Sequence, residues 1–264
     1  MTSTLFGILN ITADSFSDGG WYLDPEAALA QGRALMEGGA DVLDIGAAAS
    51  NPDAEAVGAA REIARLERVV PSLIAEGAVI SIDSFESAVQ RWALRLGVQW
   101  LNDIQGFADT AMYPALADSA AGLIVMHAVQ GRGIAARMHV PSEAIMARMF
   151  AFFDGRVAAL ERAGVARSRI VLDPGMGFFL GTNPETSLEA LRRLPELKAR
   201  YGLPVLVSVS RKSFIRALAG RSAAEAGAAT LAAELFAAAK GADMIRTHDP
   251  RALGDALKVM SALS

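Results

Sequence analysis

The chain has 264 residues, of which 52% are hydrophobic, with no cysteine and a formal net charge of −4. That length suits one α/β barrel better than two domains, and the hydrophobic content supplies a large core. The acidic balance and the lack of any basic run exclude a nucleic-acid binder, and no apolar stretch is long enough to cross a bilayer. The opening Met1-Thr2-Ser3-Thr4 lacks the basic start of a secretory leader, so a cytoplasmic protein is expected.

Short apolar runs that end in a polar residue recur at 5–10, 42–46, 79–83, 100–103, 123–127, 170–173, 205–210 and 244–248. Amphipathic Ala- and Leu-rich segments alternate with them, at 25–37, 55–76, 86–96, 111–119, 142–163, 185–200, 223–239 and 251–262. Such alternation predicts a parallel sheet, and near-continuous apolar strands at this length favour a closed (β/α)8 TIM barrel, one α/β domain over residues 1–264. Two early loops are long and polar. Residues 10–24 carry Asp14, Phe16, Asp18 and Gly19-Gly20, which suits a lid, and residues 47–54 read Ala-Ala-Ala-Ser-Asn-Pro-Asp-Ala.

The stretch 170–179 concentrates the chemistry: an apolar run stops at Asp173, and Pro174-Gly175 follow at once. Pro174 favours extended geometry at Asp173, and Gly175 permits a turn that few residues take. Alone, Asp173 reads equally well as the cap of a turn. It has company, however: Asn10, Asp83, Asn102, Met126, Ser210, Arg246 and His248 also lie at the carboxyl ends of their runs. In a barrel those ends converge on one face, where active sites of this fold are built.

Asp173 and Asn102 suit a flat heterocycle with adjacent N–H donors and a carbonyl, such as a pterin or another guanine-like ring. Asp83 adds an acceptor on another edge, and Met126 a polarizable contact for a ring face. Lys212, in Ser210-Arg211-Lys212-Ser213, brings a cation above the barrel at the start of a helix. Arg246 and His248 lie two apart on the last strand and point the same way, in the corner where this fold binds phosphate. Asn10 and Asp18 would supply oxygen ligands for Mg2+ beside substrate phosphates. The histidines lack zinc-site spacing, and His127 and His139 read as structural.

The motifs resemble those of dihydropteroate synthase. The segments are Gly7-Ile-Leu-Asn-Ile-Thr-Ala-Asp-Ser-Phe-Ser-Asp-Gly-Gly20, Ser81-Ile-Asp-Ser84, Leu101-Asn-Asp-Ile104, Leu172-Asp-Pro-Gly175, Ser210-Arg-Lys-Ser-Phe214 and Arg246-Thr-His-Asp249, in order over almost the whole chain. The resemblance implies a (β/α)8 barrel, usually a homodimer, that joins 6-hydroxymethyl-7,8-dihydropterin diphosphate to 4-aminobenzoate with Mg2+. It implies a pterin set of Asp83, Asn102, Met126, Asp173, Lys212 and Arg246, and a diphosphate set of Asn10, Arg246 and His248. Phe16, Pro52, Lys212 and Ser213 would wall the aminobenzoate pocket, and Asp18 would sit near the metal. The implied mechanism is dissociative: pyrophosphate leaves, a pterin cation forms, and the amine attacks.

Three departures stand out. Asn51 occupies the place of an arginine usual in the family's second loop. Phe179-Leu180-Gly181 lengthens the segment after Gly177-Phe178. Residues 103–107, 176–179 and 184–187 resemble the Sul-type, sulfonamide-insensitive branch. Phe179 beside Lys212 and Ser213 would fill the space beyond the aminobenzoate carboxylate and clash with the longer sulfonamides. It would otherwise simply pack against its surroundings, leaving an ordinary sulfonamide-sensitive synthase. A pterin-dependent methyltransferase fits the Asp and Asn set but not the anion corner, and a non-catalytic paralogue would have lost that corner.

Overall fold

Side chains on a strand alternate between faces, and this period decides which residues line the barrel and which meet the helices. The computed structural model describes residues 3–12 and 24–263. Its eight strands are β1 (Thr4–Asn10), β2 (Val42–Gly46), β3 (Ile80–Asp83), β4 (Trp100–Asp103), β5 (Gly122–Met126), β6 (Ile170–Asp173), β7 (Leu206–Val207) and β8 (Met244–Thr247). All pairings are parallel, in the order β6-β5-β4-β3-β2-β1-β8-β7. Leu172 pairs with Val205 and its N–H reaches the Pro204 carbonyl at 2.9 Å, which brings β6 to β7 and completes the TIM barrel.

One parity faces outward. Leu43, Ile45, Ile80, Ile82, Leu101, Leu123, Val125 and Leu172 are buried against the helices, each burial contributing about 1.5–3 kcal/mol. The other parity faces inward, where Phe6, Val42, Ile124, Val171 and Leu206, with Trp100 and Met244, form an apolar floor. Phe6 and Trp100 meet edge to face with centroids 5.8 Å apart. Two residues further along most of the same strands, the inward positions turn polar: Asp44, Asn102, Asp173, Ser208 and Arg246. The floor thus holds a polar layer above it, on the carboxyl side of the barrel.

The helices are α1 (Pro25–Glu37), α2 (Ala59–Leu66), α3 (Val70–Ala75), α4 (Ser87–Arg95), α5 (Tyr113–Asp118), α6 (Ile145–Arg162), α7 (Pro184–Arg192), α8 (Leu194–Tyr201), α9 (Ser213–Ala219), α10 (Gly227–Ala239) and α11 (Pro250–Leu263). Two segments expected as single helices are broken. Residues 55–76 yield α2 and α3, and residues 185–200 fall across α7 and α8. Pro71 and Pro195 lie just inside the second member of each pair, where a proline is tolerated, whereas mid-helix each would clash with the carbonyl four residues back. The seventh strand is also shorter than the expected 205–210: only Leu206 and Val207 pair with β8, and residues 208–210 lie outside the ladder.

Two buried carboxyls lie in the helical layer. Glu62 on α2 and Glu234 on α10 each keep one oxygen without a hydrogen-bond partner. Burial pushes Glu62 up to about 7 and Glu234 up to about 8, with only partial relief from the hydroxyls of Ser84 and Thr247. Such groups stabilise the fold fully while protonated in both states, and that contribution is lost as pH rises through the folded-state value. Melting temperature is therefore expected to fall from about pH 4.5, where the unfolded carboxyls ionise, to about pH 8, and Glu234→Gln, which needs no ionisation, to flatten that slope. Melting curves across this range check it; an unchanged slope in Glu234→Gln would contradict the assignment.

Candidate active site

The polar layer is knit by Asp44, which is fully buried in the middle of β2. Its Oδ1 accepts the Ser81 hydroxyl at 2.5 Å, and its Oδ2 accepts the Asn102 Nδ2 at 3.2 Å. Arg246 reaches in from β8, donating from Nε to the same Asp44 oxygen and from a terminal nitrogen to Asp83 at 2.7 Å. Burial opposes the charge on Arg246, yet Asp44 and Asp83 hold its proton more firmly than usual. Burial pushes Asp83 upward, and Arg246 pulls it only part of the way back.

Asp173 ends β6 across the barrel. Its Oδ1 accepts the Gly175 N–H at 2.8 Å. Gly175 adopts φ +72°, and a side chain there would run into the His127 carbonyl oxygen. Burial raises the Asp173 carboxyl, opposed by that N–H bond and by the charges of Lys212 and Arg246. Lys212 shifts the other way: burial and Arg246 lower it, while Asp173 and Asp83 pull it back. Its Nζ lies 5.2 Å from the centre of the Phe179 ring, a cation–π contact.

Between these groups runs a narrow space of about 20 Å3, lined by Asp83, Asn102, Met126, Asp173, Ser208, Phe179, Lys212 and Arg246. Two buried oxygens there, Asn102 Oδ1 and Ser208 Oγ, have no partner. An orphaned buried acceptor costs about 1–3 kcal/mol, so its persistence points to a ligand donor. Asp83, Asp173 and Asn102 Oδ1 line the space as acceptors and Lys212 as a donor. That polarity matches a flat ring bearing N–H groups on its edge and a carbonyl or ring nitrogen opposite.

The narrow space shares Asp83, Phe179, Lys212 and Arg246 with an outer cavity of about 290 Å3, also lined by Asn10, Pro52, Ser210, Ser213 and His248. The Ser210 hydroxyl accepts the His248 backbone N–H at 3.2 Å and lies 2.9 Å from its Nδ1. Burial, together with Arg211, Arg246 and Lys212, holds the imidazole well below its ordinary value, and therefore neutral. Ser210 Oγ already accepts the backbone N–H, and turning its own hydroxyl proton to Nδ1 leaves the ring proton on Nε2, a neutral donor suited to an anionic oxygen.

The structure brings Asn10, Pro52, Asp83, Asn102, Met126, Asp173, Phe179, Lys212, Ser213, Arg246 and His248 around these two connected spaces. Phe16 and Asp18 lie outside the described residues. His127 is structural as expected: its Nδ1 lies 3.1 Å from the Pro174 carbonyl, and burial lowers it to about 4.

Sequence reasoning missed Asp44, Ser208 and the segment after β5. Counting by twos from Val42 and Leu206 would have found the first two; the third carries no motif. That segment builds one wall. Ala135 N–H bonds Ser50 O at 2.9 Å, Arg137 clasps Asp53 at 2.8 and 2.5 Å, and the same guanidinium lies 5.8 Å from the Phe178 ring centre.

The model of the pterin binding enzyme family matches residues 6–248. The chain is 60% identical to a dihydropteroate synthase type-2 of Escherichia coli, over 98% of this chain and 95% of the relative. It is 49% identical to a dihydropteroate synthase type-3 of Escherichia coli, over 99% of both chains. Among solved structures, Xanthomonas albilineans dihydropteroate synthase with 4-aminobenzoic acid superposes with a TM-score of 0.89 at 36% identity, covering 99% of this chain and 93% of that one. A barrel whose polar layer offers acceptors to one ring edge beside an anion corner, matched over nearly its full length by these relatives, belongs to the pterin-binding enzyme family, among the dihydropteroate synthases.

Proposed function

We propose that the chain joins 6-hydroxymethyl-7,8-dihydropterin diphosphate to 4-aminobenzoate, giving 7,8-dihydropteroate and pyrophosphate. The observation that carries this reading is the unpartnered, buried Asn102 Oδ1 in a space that Asp83, Asp173 and Lys212 also line. Asp173, Asn102 and Asp83 accept the N–H groups of the pterin edge, Lys212 donates to its far side, and Met126 meets a ring face. Arg246, neutral His248 and Asn10 take the diphosphate at the junction with the outer cavity. The 290 Å3 outer cavity then receives aminobenzoate between Pro52, Phe179, Lys212 and Ser213, with Phe16 as a further wall.

The reaction proceeds by departure before attack. The bond from the pterin methylene carbon to the diphosphate oxygen breaks, and its electron pair leaves with pyrophosphate. The positive charge on the pterin is spread over its ring, where Asp83 and Asp173 stabilise it. The aminobenzoate nitrogen then donates its lone pair to the methylene carbon and loses a proton. No protein nucleophile is required, because fixed charges placed where charge develops supply the stabilisation. Asn10 at the cavity wall and Asp18 would hold Mg2+, which when bound would neutralise charge on the diphosphate.

The enzyme works in the cytoplasm as a homodimer on small-molecule substrates. No helix among the described residues is long and apolar enough to cross a membrane. Phe236 on α10 and Val259 and Leu263 on α11 leave exposed apolar surface on contacting helices, which suits a second copy.

The enzyme is also sulfonamide-insensitive. Phe179 is 5% exposed, packed among Ile104, Met126, Ala128 and Ala135 and capped by Lys212. Its ring therefore has little freedom to yield to the extension that distinguishes a sulfonamide from aminobenzoate.

Asp173→Asn is expected to weaken pterin binding by about 1.5–3 kcal/mol, the worth of a hydrogen bond to a charged group, and calorimetry with 6-hydroxymethylpterin checks it. His248→Ala should leave that binding within about threefold and lower the rate of pyrophosphate release instead; equal, negligible effects would refute the division of roles. Deleting Phe179 should increase sulfonamide inhibition by about tenfold or more at fixed aminobenzoate, and unchanged inhibition would reduce Phe179 to a packing residue.

A further inference from the structure

Asp44 lines neither the narrow space nor the outer cavity, yet two residues that do line the narrow space take their positions from it. A carboxamide can be turned over at no intrinsic cost, so its environment decides whether oxygen or nitrogen faces a ligand. Asp44 Oδ2 accepts the Asn102 Nδ2 at 3.2 Å, a role only the nitrogen end can answer. Oδ1 is left as the buried, unpartnered atom beside the narrow space. Ser81, itself buried on β3, donates at 2.5 Å to the other Asp44 oxygen and holds the carboxylate plane. The same Oδ2 takes the Arg246 Nε, while the far end of the guanidinium pairs with Asp83 at 2.7 Å.

We propose that Asp44 is the positioning residue of the heterocycle site, fixing which atom of Asn102 meets the ring and tethering Arg246 as the ring enters. The inference deepens the proposed function and rests on it. A space of about 20 Å3 holds roughly one water, so a bicyclic ring enters only as the lining side chains give way. Arg246 is bound at two points, and the ring competes for only one of them, Asp83. The Asp44 contact keeps the guanidinium at the barrel wall, beside His248 and the anion corner, while Asp83 is released to the ring. Without the Asp44 charge, Asn102 turns freely and offers N–H to N–H, and Arg246 remains on Asp83 in competition with the ring.

The test is calorimetric titration of 6-hydroxymethylpterin, which lacks the diphosphate, into wild type, Asp44→Asn, Asn102→Ala and the double variant. Asp44→Asn is expected to lose about thirtyfold in affinity, and the double variant to lose clearly less than the product of the two single losses, because both changes share the carboxamide and only the Arg246 tether is independent of it. The KM for aminobenzoate at saturating pterin diphosphate should stay within about threefold, which a general loosening of the barrel would not allow. Ser81→Ala, which keeps the charge but frees the carboxylate plane, should lose about three- to tenfold and serves if Asp44→Asn fails to fold. Losses that add across the double variant, or Asp44→Asn affinity within about threefold of wild type, would overturn the inference and leave the proposed function standing. A wild-type protein that fails to bind the pterin would overturn both.

Discussion

The Arg246 guanidinium enters the barrel between two carboxylates, and most of the site depends on that buried arrangement. Three acids, Asp44, Asp83 and Asp173, and two cations, Arg246 and Lys212, share a layer floored by Phe6, Val42, Ile124, Val171 and Leu206. Removing ions from water is expensive, and a buried pair seldom repays the cost in stability. The layer is instead explained by function. Its groups are held apart from water, so their charges act at full strength on whatever ring lies among them, and they need little rearrangement when charge develops. Asp44 ties three strands together, receiving Ser81 from β3, Asn102 from β4 and Arg246 from β8.

Above this layer the wall of the outer cavity is made by loops that brace one another. The β6–α7 segment folds back because Gly175 and Gly177 take positive φ, and a side chain at Gly177 would meet the Ser213 hydroxyl. Phe178 and Phe179 then emerge side by side, each beside a cation from a different loop, Arg137 and Lys212. Val129 N–H bonds the Phe179 carbonyl at 2.9 Å, and Arg137 also joins the loop bearing Asn51 through Asp53. Exposed ion pairs such as this one add little stability. Its effect is geometric: it places a guanidinium at the cavity wall in a loop adjoining the one that bears Asn51.

Much of this was legible in the sequence because strand ends and polar residues coincide. Asn10, Asp83, Asn102, Asp173, Arg246 and His248 were found as polar residues at the carboxyl ends of apolar runs, and the barrel brings them together. The same habit hid Asp44, which precedes the end of its run, and Ser208, which precedes Ser210. Their inward direction follows from the two-residue period, not from position at an end. The broken helices were hidden differently: amphipathic spacing continues through Pro71 and Pro195, while the backbone cannot. Arg137 had no sequence signal at all, since its contact with Asp53 spans 84 residues and exists only once the loops after β2 and β5 share one rim.

On the proposed function, one polar layer binds a dihydropterin and the adjoining corner takes its departing diphosphate, while an incoming aromatic amine bonds to the methylene carbon. The most direct measurement is pyrophosphate release from 6-hydroxymethyl-7,8-dihydropterin diphosphate with Mg2+, in the presence and absence of 4-aminobenzoate, with chromatography of the pteridine product. Release that requires aminobenzoate for turnover and matches 7,8-dihydropteroate mole for mole is the predicted result. Tight pterin binding without pyrophosphate or dihydropteroate would contradict it and leave a pterin-binding protein that does no chemistry.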